Sequence, residues 1–166
     1  MLIQIEVSIY SKEGKKDFTT EYSAECHEDG FYIDMLRFFD QTKLVSQKEM
    51  DMEIEGDYLS FPKQMNEGDD LQDGEVSIHI SYNGKVHGTM TMEITDRKVL
   101  GKEKITTPAG TFDCYKISHT YHSYFGNSRA DGTSIDWFAK NIGTVKSEFY
   151  NTAGTLISYT ELTSEK

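Results

Sequence analysis

Between Phe112 and Phe125 fourteen residues run on without a turn signal. Fully extended they would reach about 46 Å, well past the usual strand. A strand of that length has to bend, bulge or wrap. Its odd positions Tyr115, Ile117, Tyr121 and Phe125 form the more apolar stripe, so one face turns to a core, and a curling strand suits a barrel or rolled sheet better than a flat one. Immediately upstream, Pro108 fixes φ and Gly110 permits a positive φ, which lets the chain turn a corner into this strand. The run from Pro108 to Ile117 supplies no nucleophile with a base; it is a structural signature.

The rest of the chain reads the same way. Alternating segments are punctuated by glycine-centred turns, the pattern of an antiparallel meander. Met1 to Tyr10, Phe18 to Cys26 and Phe31 to Met35 are predicted strands, with Cys26 on the face of Phe18, Tyr22 and Ala24. Met35-Leu36-Arg37-Phe38-Phe39 is the one helix candidate, because 35, 38 and 39 share a face. Strands resume at Met50 to Glu55 and Tyr58 to Phe61, and Pro62 to Gly74 is a long polar loop. Asn83-Gly84 is a strong type I′ hairpin signal between Glu75 to Tyr82 and Lys85 to Thr95. It predicts cross-strand partners whose numbers sum to 167, placing His79 opposite Gly88. A separate strand covers Arg97 to Thr106, and Gly126 to Gly132 is a polar excursion. Ile135 to Ala139, Thr144 to Tyr150 and Thr155 to Leu162 are three consecutive strands, with Phe149 opposite Leu156 and Val145 opposite Thr160. The fold class is all-β: an antiparallel rolled sheet or barrel-like meander of about 9–11 strands with at most one short helix, in one domain spanning 1–166.

A formal charge of −11 argues against nucleic acid and anionic membrane surfaces, both of which need clustered Lys and Arg. No stretch approaches the apolar length of a membrane span. Cys26 and Cys114 are too far apart in sequence for CxxC redox or zinc patterns. His119 and His122, three apart in a strand, point to opposite faces, so the histidines assemble no metal site. The loop Gly68 to Gly74, with Asp69, Asp70 and Asp73, has Leu71 where an EF-hand needs Asp or Asn and reads as a solvated turn. There is no HExxH, GxSxG, GxGxxG or Walker motif. No cofactor is implied and no catalytic residue is assigned.

Phe31 to Met35, Arg97-Lys98-Val99, Pro108 to Ile117, Trp137-Phe138-Ala139-Lys140, Ile142 to Glu148 and Ser158 to Leu162, taken in order, resemble the TapB-like family of exported Bacteroidetes β-proteins. The resemblance implies a rolled all-β sheet, export past the inner membrane to the periplasm or envelope, and no established activity. Members begin with a signal or lipoprotein peptide and further N-terminal strands, so it also implies an export segment ahead of Met1. A cytoplasmic location is the alternative.

The first functional expectation is a noncatalytic exported β-domain that binds an envelope protein or a small apolar ligand. Its candidate ligand residues are Tyr115, His119, Tyr121, Trp137 and Tyr159, which combine apolar bodies with polar tips on strands expected to lie close together. Two other classes stay open: a hydrolase of envelope carbohydrate or lipid using an Asp/Glu pair near the Phe112 to Phe125 strand, and a purely structural protein.

Overall fold

A computed structural model describes residues 1–39 and 51–164. Among these, eleven strands form one antiparallel sheet. They are β1 (Leu2–Ser11), β2 (Lys16–Cys26), β3 (Gly30–Asp34), β4 (Asp51–Gly56), β5 (Tyr58–Pro62) and β6 (Gly74–Tyr82). The long strands follow: β7 (Lys85–Thr107), β8 (Gly110–Phe125), β9 (Ser128–Ala139), β10 (Gly143–Asn151) and β11 (Leu156–Glu161). A single 3₁₀ turn, Met35–Phe38, follows β3. Met50, which sequence placed at the start of a strand, lies outside the described residues.

The spatial order is β4-β6-β7-β8-β9-β10-β11-β1-β2-β3-β5. The two edge strands, β4 and β5, are neighbours in sequence with only Asp57 between them. A single residue can connect opposite edges only if those edges meet, so the sheet is nearly closed into a barrel. The Asp57 amide bonds to the Glu75 carbonyl at 2.8 Å, fastening the joint to β6.

Alternation sets the interior. Ile5 and Val7 of β1, Tyr22 and Ala24 of β2, Phe31 and Ile33 of β3 and Leu59 and Phe61 of β5 point inward. Val76 and Ile78 of β6, Ile94 and Val99 of β7, Ile117 and Tyr121 of β8 and Phe138 of β9 belong to the same core. Phe61 stacks on Phe138 at 4.3 Å between centroids. A second, smaller cluster of Cys114, Trp137, Ala139, Val145 and Leu162 lies apart from it, on the outward parity of β8 and β9. The Pro108 corner packs there, with the Ala109 amide reaching the Leu162 carbonyl at 3.4 Å. The two cysteines are free, and burial pushes the Cys114 thiol up to about 11, which makes it a poor nucleophile.

Register departs from the sequence expectations wherever a bulge intervenes. Tyr82 faces Lys85 and Ser81 faces Val86, as the Asn83-Gly84 turn dictates, but a bulge between Ile80 and Ser81 sets His79 opposite Thr89 instead of Gly88. Arg97 to Thr106 is not a separate strand: β7 runs through it, bulged at Asp96 (φ 53) and Gly101 (φ 141). The curl demanded by β8 is therefore supplied largely by kinks in its partner. Gly126 to Gly132 is mostly strand, since Gly126-Asn127 is a tight turn and Ser128 already pairs with Phe125. Phe149 faces Ser158 and Ser147 faces Thr160, two residues from the expected pairing, which preserves the alternation. Val145 is carried into the outer cluster by a bulge between Thr144 and Lys146.

Gly132 shows how tightly β9 is held. A Cβ there would overlap the Tyr150 carbonyl oxygen and the Tyr121 hydroxyl, which hydrogen-bond to each other at 3.1 Å. Gly132→Ala is expected to cost about 2–3 kcal/mol, from overpacking and loss of that bond. It should appear as a lower urea midpoint at unchanged m-value.

Candidate functional site

Arg37 is the residue around which the interior polar groups gather. The apolar run Met35 to Phe39 buries Met35 and Phe39, at 0% and 4% exposure, and the 3₁₀ turn between them sends the Arg37 side chain inward. Its Nη1 donates to Thr144 Oγ1 at 2.9 Å and its Nη2 to Ser147 Oγ at 3.0 Å, both on β10. The guanidinium lies 4.9 Å from the Phe38 ring centroid and 5.7 Å from that of Tyr22.

Asp136 of β9 is the counter-charge. It accepts from Ser147 Oγ at 2.5 Å and sits 3.5 Å from Arg37 Nη2 and 3.6 Å from His119 Nδ1. Arg97, 2% exposed, enters from β7, donates to the Gln72 carbonyl at 2.5 Å and lies over the Phe61 ring at 4.8 Å. Burial lowers its pKa to about 10 against the opposing pull of Asp136, so it keeps its proton at neutral pH. Burial also drives His119 down to about 4, outweighing Asp136, with Arg37 and Arg97 adding to the depression. His119 is thus neutral at pH 7, and two guanidiniums share the one carboxylate that is buried among the described residues. Tyr22 Oη, Ser134 Oγ, Arg97 Nη2 and both His119 ring nitrogens have no hydrogen-bond partner there. Such orphaned groups are uncommon inside proteins.

This polar cluster borders a cavity of about 230 Å³. Its walls are mainly apolar: Val7 and Ile9 from β1, Phe18 from β2, Met92 from β7, Tyr121 from β8 and Phe149 from β10. Arg37, Tyr22, Thr144 and Thr160 also line it and are all at most 8% exposed. Ile157, 44% exposed, marks where it reaches the surface. The cavity has an apolar mouth and a polar floor. No carboxylate is among the described residues that line it.

The five expected residues separate into distinct environments. Tyr121 is on the cavity wall, with its hydroxyl held by the Tyr150 carbonyl. His119 is in the polar cluster, edge-on to Phe38 at 6.2 Å. Tyr115 lines a separate, smaller pocket of about 90 Å³ with Phe31, Phe61 and Phe138. Trp137 has the opposite parity: Lys116 and Lys146 approach its ring at 5.5 and 4.9 Å, and its indole donates to Glu103. Tyr159 stacks on Tyr10 at 5.2 Å, on the outward parity of β11. Sequence reading missed Arg37, Tyr22 and Asp136. The available signal was parity, since Tyr22 shares the core face of Phe18 and Ala24, and Asp136 alternates with Phe138.

A family model described as DUF3108-like matches residues 1–162. Two solved structures resemble the chain closely in fold. A candidate exported protein with a YmcC-like fold from Bacteroides fragilis is 24% identical, with a TM-score of 0.75 over 98% of this chain and 94% of that one. A candidate lipoprotein from Parabacteroides distasonis is 25% identical, with a TM-score of 0.70 over 99% of this chain and 79% of that one. None of the curated proteins matches the sequence.

Proposed function

For a chain that belongs to the DUF3108-like family, we propose the role of a noncatalytic, exported β-domain that holds a small apolar ligand inside its barrel. The observation that carries this reading is the cavity of about 230 Å³, walled by Val7, Ile9, Phe18, Met92 and Phe149. A dry apolar cavity of about 150 Å³ already takes a benzene molecule, so the space is adequate for a ligand or a substantial part of one. Tyr121 serves this ligand from the wall, and His119 serves it indirectly from the polar cluster behind the floor.

Placement in the periplasm or cell envelope is part of the proposal, as is the TapB-like affiliation. It is supported by the exported and lipoprotein descriptions of the two structural neighbours. The test is native mass spectrometry of the full-length protein purified from its own envelope fraction, set beside its denatured mass. A discrete noncovalent adduct is the expected result and gives the ligand's mass. A bare chain that also fails to take up a neutral apolar dye such as N-phenyl-1-naphthylamine overturns the reading.

One optical consequence is specific. Trp137 is the sole tryptophan and sits in the outer cluster, so filling the cavity is expected to leave its emission maximum unshifted. Tyr121→Trp, which puts an indole on the cavity wall, should give an emission that moves to shorter wavelength when the dye binds.

A further inference from the structure

We propose that the cavity binds an amphiphile carrying one carboxylate, inserted head down, with the carboxylate between Arg37 and the Tyr22 hydroxyl and the alkyl chain running toward Ile157. This deepens the ligand-binding reading and rests on it. Three observations lead to it.

The first is the gradient along the cavity. Tyr22 and Arg37 are 3% and 7% exposed while Ile157 is 44% exposed, so polar groups occupy the deep end and apolar ones the mouth. A neutral hydrocarbon would leave that floor unmatched, and a cationic head would meet a guanidinium. The second is charge. Arg37 and Arg97 are opposed by Asp136 alone among the buried acids of the described residues, and Arg37 meets it only at 3.5 Å. An incoming monoanion supplies the second negative charge, and a guanidinium is suited to a carboxylate by its planar array of donors. The third is the Tyr22 hydroxyl, a buried cavity-lining group without a partner among the described residues. It can donate to a carboxylate oxygen, which removes the cost of leaving it unpaired. The Thr144 and Thr160 hydroxyls line the same floor.

The test compares decanoate, decan-1-ol and decyltrimethylammonium as displacers of N-phenyl-1-naphthylamine at pH 7.5, in the full chain. Decanoate is expected to bind at least about tenfold tighter than the alcohol, the difference of one charge-assisted contact, and the ammonium weakest. Tyr22→Phe keeps the ring and should lower decanoate affinity about three- to tenfold while leaving decanol within twofold. Arg37→Met alone takes from Asp136 the guanidinium 3.5 Å away, so the second variant is Arg37→Met combined with Asp136→Asn. That pair should still bind the dye and should lose the preference for carboxylate over alcohol. Decanol binding as tightly as decanoate, with the dye displaced normally, overturns the head-group assignment and leaves the cavity reading intact. No dye uptake overturns both.

Discussion

Replacing Asp136 by Ala is expected to lower the unfolding free energy by about 3–5 kcal/mol, the usual cost of stranding one member of a buried ionic cluster. Asp136 is 1% exposed and has Arg37 at 3.5 Å, His119 at 3.6 Å and the Ser147 hydroxyl at 2.5 Å. Without it, two guanidiniums remain in the barrel with no buried acid opposing them among the described residues. The loss belongs to the stranded charges more than to the bond itself, and a double variant separates the two. Arg37→Met with Asp136→Leu replaces the closer pair with apolar groups and leaves only Arg97 without a buried acid among the described residues, so it is expected to recover about half of the loss. Urea titration of the three proteins measures both effects. An Asp136→Ala loss below about 1 kcal/mol would show that the cluster does not organise the core.

Acid should weaken the fold through His119 before it does so through the surface carboxylates. The folded-state pKa of this histidine is lowered from 6.5 to about 4. Between those values the unfolded chain binds a proton that the folded chain refuses. Stability is therefore fully present above pH 6.5 and falls as the pH drops toward about 4. The total is on the order of 3 kcal/mol from one group. Asp131, Glu103 and Glu148 have lowered pKa values and lose their contributions at lower pH still. The His119→Leu variant isolates the histidine: its stability should be flatter from pH 6.5 to 4.5. At pH 7 it should match or exceed the parent, because two unpartnered ring nitrogens are removed. Identical pH profiles for the two proteins would refute the assignment.

Much of the fold was legible because it is written in period two. The length of the Phe112 to Phe125 run demanded curvature, Asn83-Gly84 located a hairpin, and the apolar parity of β1, β2 and β6 matches the buried face. What escaped were the devices that break the period. The bulge at Asp96 uses a non-glycine residue at φ 53, so nothing in Thr95-Asp96-Arg97 announces that one strand passes through it. Residues 128 to 132 are polar, yet their amides pair with β8, and pairing of solvent-facing backbone leaves little trace in side-chain chemistry.

The site was less legible for a related reason. Aromatic residues with polar tips are the natural candidates for a binding wall, and Tyr121 fits that expectation. Trp137 and Tyr159 are equally aromatic, but their odd positions in β9 and β11 face outward, where Trp137 lies against two lysines and Tyr159 against Tyr10. Arg37 was hidden by its neighbours, because Met35, Phe38 and Phe39 define a face that does not include it. Only the closed sheet brings Arg37 to Thr144 and Ser147, more than a hundred residues away.

The joining of the sheet edges through Asp57 bears on when the barrel can form. β1 pairs with β11 through Ser8–Glu161 and Ile9–Thr160, so β1 waits for a strand far downstream in sequence before the circuit is complete. Topologies dominated by such distant pairings fold slowly, over milliseconds to seconds. Until β11 has paired with β1 the sheet has open margins and no finished interior. A polypeptide held in that state is still threadable.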